Sequence, residues 1–179
     1  IHERNSQLDR ATERDLMVRS SAALEKITGR KPVGIRTPSW DYSPHTIEIA
    51  REMGLLYDSS LMADDLPYEV NVNGKPTGVV ELPVEWILDD APYFTMDRFT
   101  GIRPTMNQEE VFELWKAEFD QAYDEGGMFI LTMHPHIIGH RGRIRMLDRL
   151  VTHMKSKSGV WFASHEAIAR YVKTSAGMK

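Results

Sequence analysis

Phe129-Ile-Leu131-Thr-Met-His134-Pro-His136-Ile-Ile-Gly-His140-Arg141 is the stretch on which the reading of this chain turns. An apolar run of strand character ends abruptly in titratable groups, and Pro135 and Gly139 break the chain around them. By the two-residue period of a strand, Thr132 and His134 share one face while Leu131 and Met133 share the other. A second segment has the same plan: Val33-Gly-Ile35 reads as a short strand and runs into Arg36-Thr-Pro38-Ser-Trp40. Two strand ends that present His, Arg and Trp resemble the active-site edge of an α/β fold, where side chains at the carboxyl ends of strands face substrate.

The remaining chain alternates in the same manner. Leu8 to Thr28 reads as an amphipathic helix with Leu16, Ala23, Leu24 and Ile27 on its buried side and Gly29 as its stop. Ser43-Pro44 reads as the cap and first position of a helix that buries Ile47, Ile49, Ala50 and Met53, and Leu55-Leu-Tyr57 as a strand. Asn73-Gly74 has the composition of a tight hairpin turn ahead of the strand Val79-Val-Glu81-Leu82. Asp89-Asp90-Ala-Pro92 reads as a polar turn. Asn107 caps a helix through Tyr123 with Val111, Leu114, Trp115 and Phe119 on one face, Arg143 to Lys155 forms another with Ile144, Leu147, Leu150, Val151 and Met154 inward, Val160 to Ala163 is a strand, and Ser164 caps a last helix. Trp115 and Trp161 both lie in apolar patterns and read as core. Strands alternating with helices give an α/β class with a mainly parallel sheet, and residues 1–179 read as a single domain.

Composition narrows the chemistry. The 179 residues, 41% hydrophobic, suffice for a core, and a net charge of -4 gives no bulk attraction to nucleic acid or to an anionic membrane. Arg141, Arg143, Arg145 and Arg149 read as a solvated helix face. With no cysteine, any metal must be held by His and carboxylate ligands. No stretch approaches the roughly 20 apolar residues that span a bilayer, and the expected location is cytoplasmic.

Arg36-Thr-Pro38-Ser-Trp40 and the strand end at His134, in this order and with these elements, resemble two motifs of the polysaccharide deacetylases, the carbohydrate esterase family 4 type, in its peptidoglycan deacetylase-like and allantoinase-like branch. The resemblance covers essentially the whole chain and implies a distorted (β/α) barrel of which this chain is the carboxyl-terminal part, with the amino-terminal strands missing. It implies metal-dependent hydrolysis of a non-peptide C–N amide bond, as in N-deacetylation of an amino sugar or peptidoglycan-type glycan. His2-Glu3-Arg4-Asn5 resembles the second histidine of a His-x-x-x-His pair, so His2 is the candidate ligand of a divalent metal, zinc, whose other ligands and base would precede residue 1.

By the same resemblance His134 is the general acid, a role that suits an imidazole with an ordinary pKa of about 6.5. Arg36 would orient the base, and Asp89 or Asp90 would orient His134. Trp40 would wall a sugar-binding groove, with Pro38, Leu131, Thr132 and His136 about the substrate. Thr132 departs from the leucine that many members carry two positions before the histidine, which keeps cyclic amides and ureido compounds open as substrates. His45, His153 and His165 are expected to do nothing chemical. A reading of another class is a non-catalytic module that uses Trp40 and Tyr93-Phe94 to hold a glycan or a partner, and assembly with another copy of the chain is expected by resemblance.

Overall fold

The computed structural model describes residues 2–95 and 106–178. In chain order its elements are α1 (Arg10–Thr28), β1 (Gly34–Ile35), α2 (Thr46–Glu52), β2 (Tyr57–Asp58), β3 (Tyr68–Val72), β4 (Lys75–Glu81), α3 (Ala91–Phe94), α4 (Gln108–Glu125), α5 (Pro135–Ile138), α6 (Arg141–Ser156) and α7 (His165–Ser175). They gather into two compact units, Ile1–Pro83 with Ala163–Lys179, and Val84–Phe162. Among the described residues no helix is long and apolar enough to cross a membrane.

In the first unit the sheet order is β1-β2-β4-β3, with β1, β2 and β4 parallel and β3 antiparallel to β4. The chain passes from β1 to its parallel neighbour β2 through α2, reaches β4 from β2 by way of β3, and joins the antiparallel β3 and β4 by the Asn73-Gly74 turn. Both turn residues have positive φ, 52° and 73°, the twist a two-residue hairpin needs. Gly34 is required for a different reason: a Cβ there would lie 2.2 Å from the Tyr57 ring on β2. Ile47, Ile49, Ala50, Leu55, Val70 and Val79 form the core, with Met17 reaching it from α1.

Helix α1 ends at the expected Gly29 but begins at Arg10, two residues after the expected Leu8. The Asp9 carboxylate accepts from the Thr12 N–H at 2.9 Å, and Gly29 closes the helix in the left-handed conformation. Its buried side differs from expectation, since Leu24 and Ile27 are 49% and 80% exposed while Met17 and Glu13 are buried. Glu13 is held inside by the Asn5 amide and the hydroxyls of Ser43 and Thr46. That bond also explains why α2 begins at Thr46 rather than at Pro44. The Ser43 hydroxyl donates to Glu13 and accepts the His45 N–H, which makes a turn of Ser43-Pro44 instead of a helix cap.

The second unit is built on α4 against α6, with Val111, Phe112, Trp115, Phe119, Met146, Leu150 and Met154 buried between them and Ile138. Asn107 caps α4 through the Glu109 N–H at 2.9 Å, and Gly126 ends it. Ile144 is 45% exposed rather than inward. Among the described residues Phe129 to Met133 forms no ladder, only one parallel bridge, Asp89 with Thr132. Val160 to Ala163 is likewise extended without a partner strand among the described residues, and Trp161, expected in the core, is 57% exposed. A strand exists by its partner's hydrogen bonds, and an apolar run specifies a face but not a partner. The class is α/β, and the four-stranded sheet is open.

Candidate active site

His134 stands where the extended segment ends and α5 begins. Its surroundings come from a residue 44 positions earlier. The Asp90 carboxylate, with 0% exposure, accepts the His134 backbone N–H through Oδ2 at 3.0 Å and meets Nδ1 through Oδ1 at 2.7 Å. The parallel bridge makes this possible: Thr132 donates its N–H to the Leu88 carbonyl at 2.8 Å, and the Asp90 N–H donates to the Thr132 carbonyl at 3.1 Å, so the two segments run side by side into the site. The polar turn expected at Asp89-Asp90-Ala-Pro92 is in fact this bridge followed by α3, with Pro92 in the first turn of the helix.

The geometry separates the two aspartates. Asp89 Oδ1 accepts the Ala91 N–H at 2.7 Å and lies 3.7 Å from His134 Nδ1, within reach of an ion pair but too far for a hydrogen bond. Asp90 is therefore the residue that orients the ring. An ionised carboxylate only accepts, so Nδ1 carries the hydrogen and Nε2 is directed away from Asp90. The side chain of His134 is 40% exposed, open enough to meet a substrate. His136 is exposed on α5 with its ring 5.8 Å from that of His134 at 73°. Leu131 packs against the α4–α6 core, whereas Thr132 lies on the face that strand alternation shares with His134.

In the first unit, Arg36 leaves β1 and is held by the loop after β2. Its Nε donates to the Ser59 carbonyl at 2.9 Å and its Nη2 to the Ser59 hydroxyl at 2.7 Å. The same Nη2 lies 3.3 Å from Nε2 of His165, whose ring stacks on Tyr57 with centroids 5.7 Å apart. Burial, and next the Arg36 charge, lowers the His165 pKa, so the ring is neutral and accepts. His165 was expected to be idle. Its signal in the sequence was its place as the first residue after the Ser164 cap, immediately beyond an extended segment.

After Arg36, Pro38–Trp40 makes a tight 3-10 turn in which Ser39 and Trp40 have φ of 53° and 55°. Non-glycine residues in that region are uncommon, and two in succession mark a turn whose shape is imposed by its surroundings. Arg36 and Pro38 line a cavity of about 290 Å³ together with Glu3, Met17, Ile35 and Leu55.

His2 is exposed and, among the described residues, joins no group of three metal-binding side chains. Among the described residues the one such group is Asp89, Asp90 and His134, whose ligand atoms lie within 4.8 Å of one another. Asp90 Oδ1 is engaged by His134 Nδ1 and Asp90 Oδ2 by the His134 backbone N–H, so this group is a hydrogen-bonded Asp90–His134 pair beside Asp89 rather than an open ligand set. The three-ligand zinc site implied by the resemblance does not fit the described residues on their own.

No family model matches the chain. A peptidoglycan deacetylase of Helicobacter pylori is 26% identical over 193 residues, which covers 94% of this chain and 66% of that protein. A solved protein of Mycobacterium smegmatis, assigned to the polysaccharide deacetylases, is 37% identical with a TM-score of 0.89 and covers 98% of this chain. The solved Puue allantoinase is 30% identical with a TM-score of 0.80 over 96% of this chain. The chain spans 61% and 56% of these two solved chains. By sequence and by fold, this chain is a relative of the polysaccharide deacetylases.

Proposed function

We propose that the chain is the proton-donor portion of a hydrolase of non-peptide C–N amide bonds, acting on an N-acetylated amino sugar or peptidoglycan-type glycan. The observation that carries this reading is the His134–Asp90 pair, an imidazole held by a fully buried carboxylate with its other nitrogen directed outward. The leaving group in amide hydrolysis is a poor one unless protonated as the C–N bond breaks. Protonated His134 donates from Nε2 to that nitrogen, while Asp90 holds Nδ1–H and stabilises the imidazolium before transfer. Arg36, fixed by Ser59, would present the rest of its guanidinium to a carboxylate base, and Trp40 would offer a ring face to a sugar. His2 would contribute one imidazole to a divalent metal whose further ligands lie beyond the described residues. On this reading the open sheet is part of the relatives' distorted (β/α) barrel.

A second substrate class is favoured by one feature. Thr132 on the face of His134 makes a more polar pocket than leucine would, and the likeness to an allantoinase agrees with a small cyclic amide or ureido substrate. The test is hydrolysis of N-acetylglucosamine oligomers and of allantoin with added Zn²⁺, by a version of the chain matched to its relatives' length and by its His134→Ala variant. Activity on either substrate that falls by about 10²–10⁴ in the variant is expected. Glycan binding without hydrolysis of either would overturn the catalytic reading in favour of a binding module.

A further inference from the structure

Asp58 and Glu81 occupy paired positions on the parallel strands β2 and β4, and both are completely buried. Neighbouring strands lie about 4.8 Å apart, so side chains in register meet. Their carboxyl groups are close enough for the Asp58 charge to act on Glu81. The proposed chemistry uses neither. Each has one oxygen engaged with the loop that follows β2: Glu81 Oε1 accepts the N–H groups of Ser60 and Leu61 at 2.8 and 2.9 Å, and Asp58 Oδ1 accepts the Ser60 hydroxyl at 2.8 Å. The Ser60 oxygen in turn accepts the Thr37 N–H at 2.9 Å. Ser59 holds Arg36 by two bonds and donates its hydroxyl to the Leu82 carbonyl at 2.8 Å. The remaining oxygens, Asp58 Oδ2 and Glu81 Oε2, are buried and have no hydrogen-bond donor among the described residues, which leaves them free to share a proton.

We infer that Asp58 and Glu81 act as one carboxyl–carboxylate clamp, bridged by a single proton, which positions the Arg36-Thr-Pro38 turn through Ser59 and Ser60. Two carboxyl groups in contact inside a protein cannot both ionise. Burial first, and then the Asp58 charge, pushes Glu81 up to about 9, and burial also raises Asp58. At neutral pH the pair therefore keeps one proton, shared between the two carboxyl groups. Tyr42, from the segment before α2, and Tyr68 of β3 are the other titratable groups facing the pair. Burial, then the nearby carboxyl charge, raises both phenols, so they remain neutral. Loss of the bridging proton would set two buried negative charges against each other beneath the loop that holds Arg36 and Thr37.

Any consequence for hydrolysis rests on the function proposed above, whereas the clamp does not. Carbon-detected NMR on the full chain tests it by following the Glu81 side-chain carboxyl, the Arg36 guanidinium carbon and the Thr37 Cα from neutral to alkaline pH. The expected result is one inflection near pH 9 shared by all three. In Glu81→Gln the amide keeps the Oε1 acceptor and offers an N–H to Asp58, so the Arg36 and Thr37 inflections vanish and their neutral-pH positions stay. Titration of Glu81 in the ordinary carboxylate range, or near pH 9 without movement of Arg36 and Thr37, overturns the clamp. Should the variant not fold, the wild-type titration alone decides between these results. Coincident inflections in a protein that hydrolyses no amide would remove the proposed function and leave the clamp standing.

Discussion

A single hydrogen bond decides which carboxylate serves His134. Asp89 and Asp90 are adjacent and both are buried, yet only Asp90 reaches Nδ1, at 2.7 Å, while Asp89 closes the first turn of α3. In Asp90→Asn the amide oxygen still accepts the His134 N–H, but the negative charge opposite the imidazolium is gone. A fall in kcat of about 10–100-fold is expected, as for other residues that orient a reacting imidazole, with circular dichroism unchanged. Equal kcat in the two proteins would show that Asp90 has only a packing role. Asp89→Asn tests the distinction from the other side and is expected to have the smaller effect. The resemblance left both positions open because a pair of adjacent acids carries no local mark of which one a distant ring will meet.

Elements are held by two kinds of cause. Turns and helix ends are local: Gly74 has φ of 73° in the β3–β4 turn, where alanine is strained, and Gly74→Ala is expected to destabilise by about 1 kcal/mol in urea unfolding. Packing is not local. Trp115 is 0% exposed between α4 and α6, and its indole N–H donates to the Ile87 carbonyl at 2.9 Å. Trp115→Ala should cost about 3–5 kcal/mol, seen as a lower midpoint of urea unfolding; a cost below about 1 kcal/mol would mean that the core refills the space. The starts of α4 and α7 were legible because Asn107 and Ser164 bond their own helices within three residues. Strands at Phe129–Met133 and Val160–Ala163 were not, because pairing depends on segments far away in the chain.

For the whole molecule, two perturbed groups set opposite limits on stability. Asp120 on α4 is held down to about 2, first by Lys116 and then by His153 of α6, with which it makes a 2.6 Å contact. A depressed carboxyl stabilises the folded state above its unfolded value, and the contribution is lost as pH falls from about 4 towards 2. Asp120→Asn should thus melt at a lower temperature than the wild type at neutral pH and at the same temperature near pH 2. Glu81 works in the reverse sense. Its raised pKa means that the folded chain binds a proton the unfolded chain has released, so stability declines as pH climbs from about 4.5 to about 9. Glu81→Gln should flatten that decline in thermal melts taken across the window, and a parallel slope in the two proteins would show that Glu81 is not its source.

What the sequence by itself determined was local: the alternation of helices and extended segments, the capping residues and stop glycines, the hairpin turn, and the residue types at the ends of two extended segments. Each rests on bonds between residues a few positions apart. Tertiary structure alone decided that Asp90 meets His134 across 44 residues, that His165 meets Arg36 across 129, and that Asp58 lies in register with Glu81. It also decided that Glu13, a charged residue on a polar helix, is buried, and that Ile27 and Trp161 are exposed. The reason is the same throughout. Hydrogen bonds between distant segments are selected by the packing of the whole chain, and a residue's own neighbours in sequence carry no record of which partner that packing will supply.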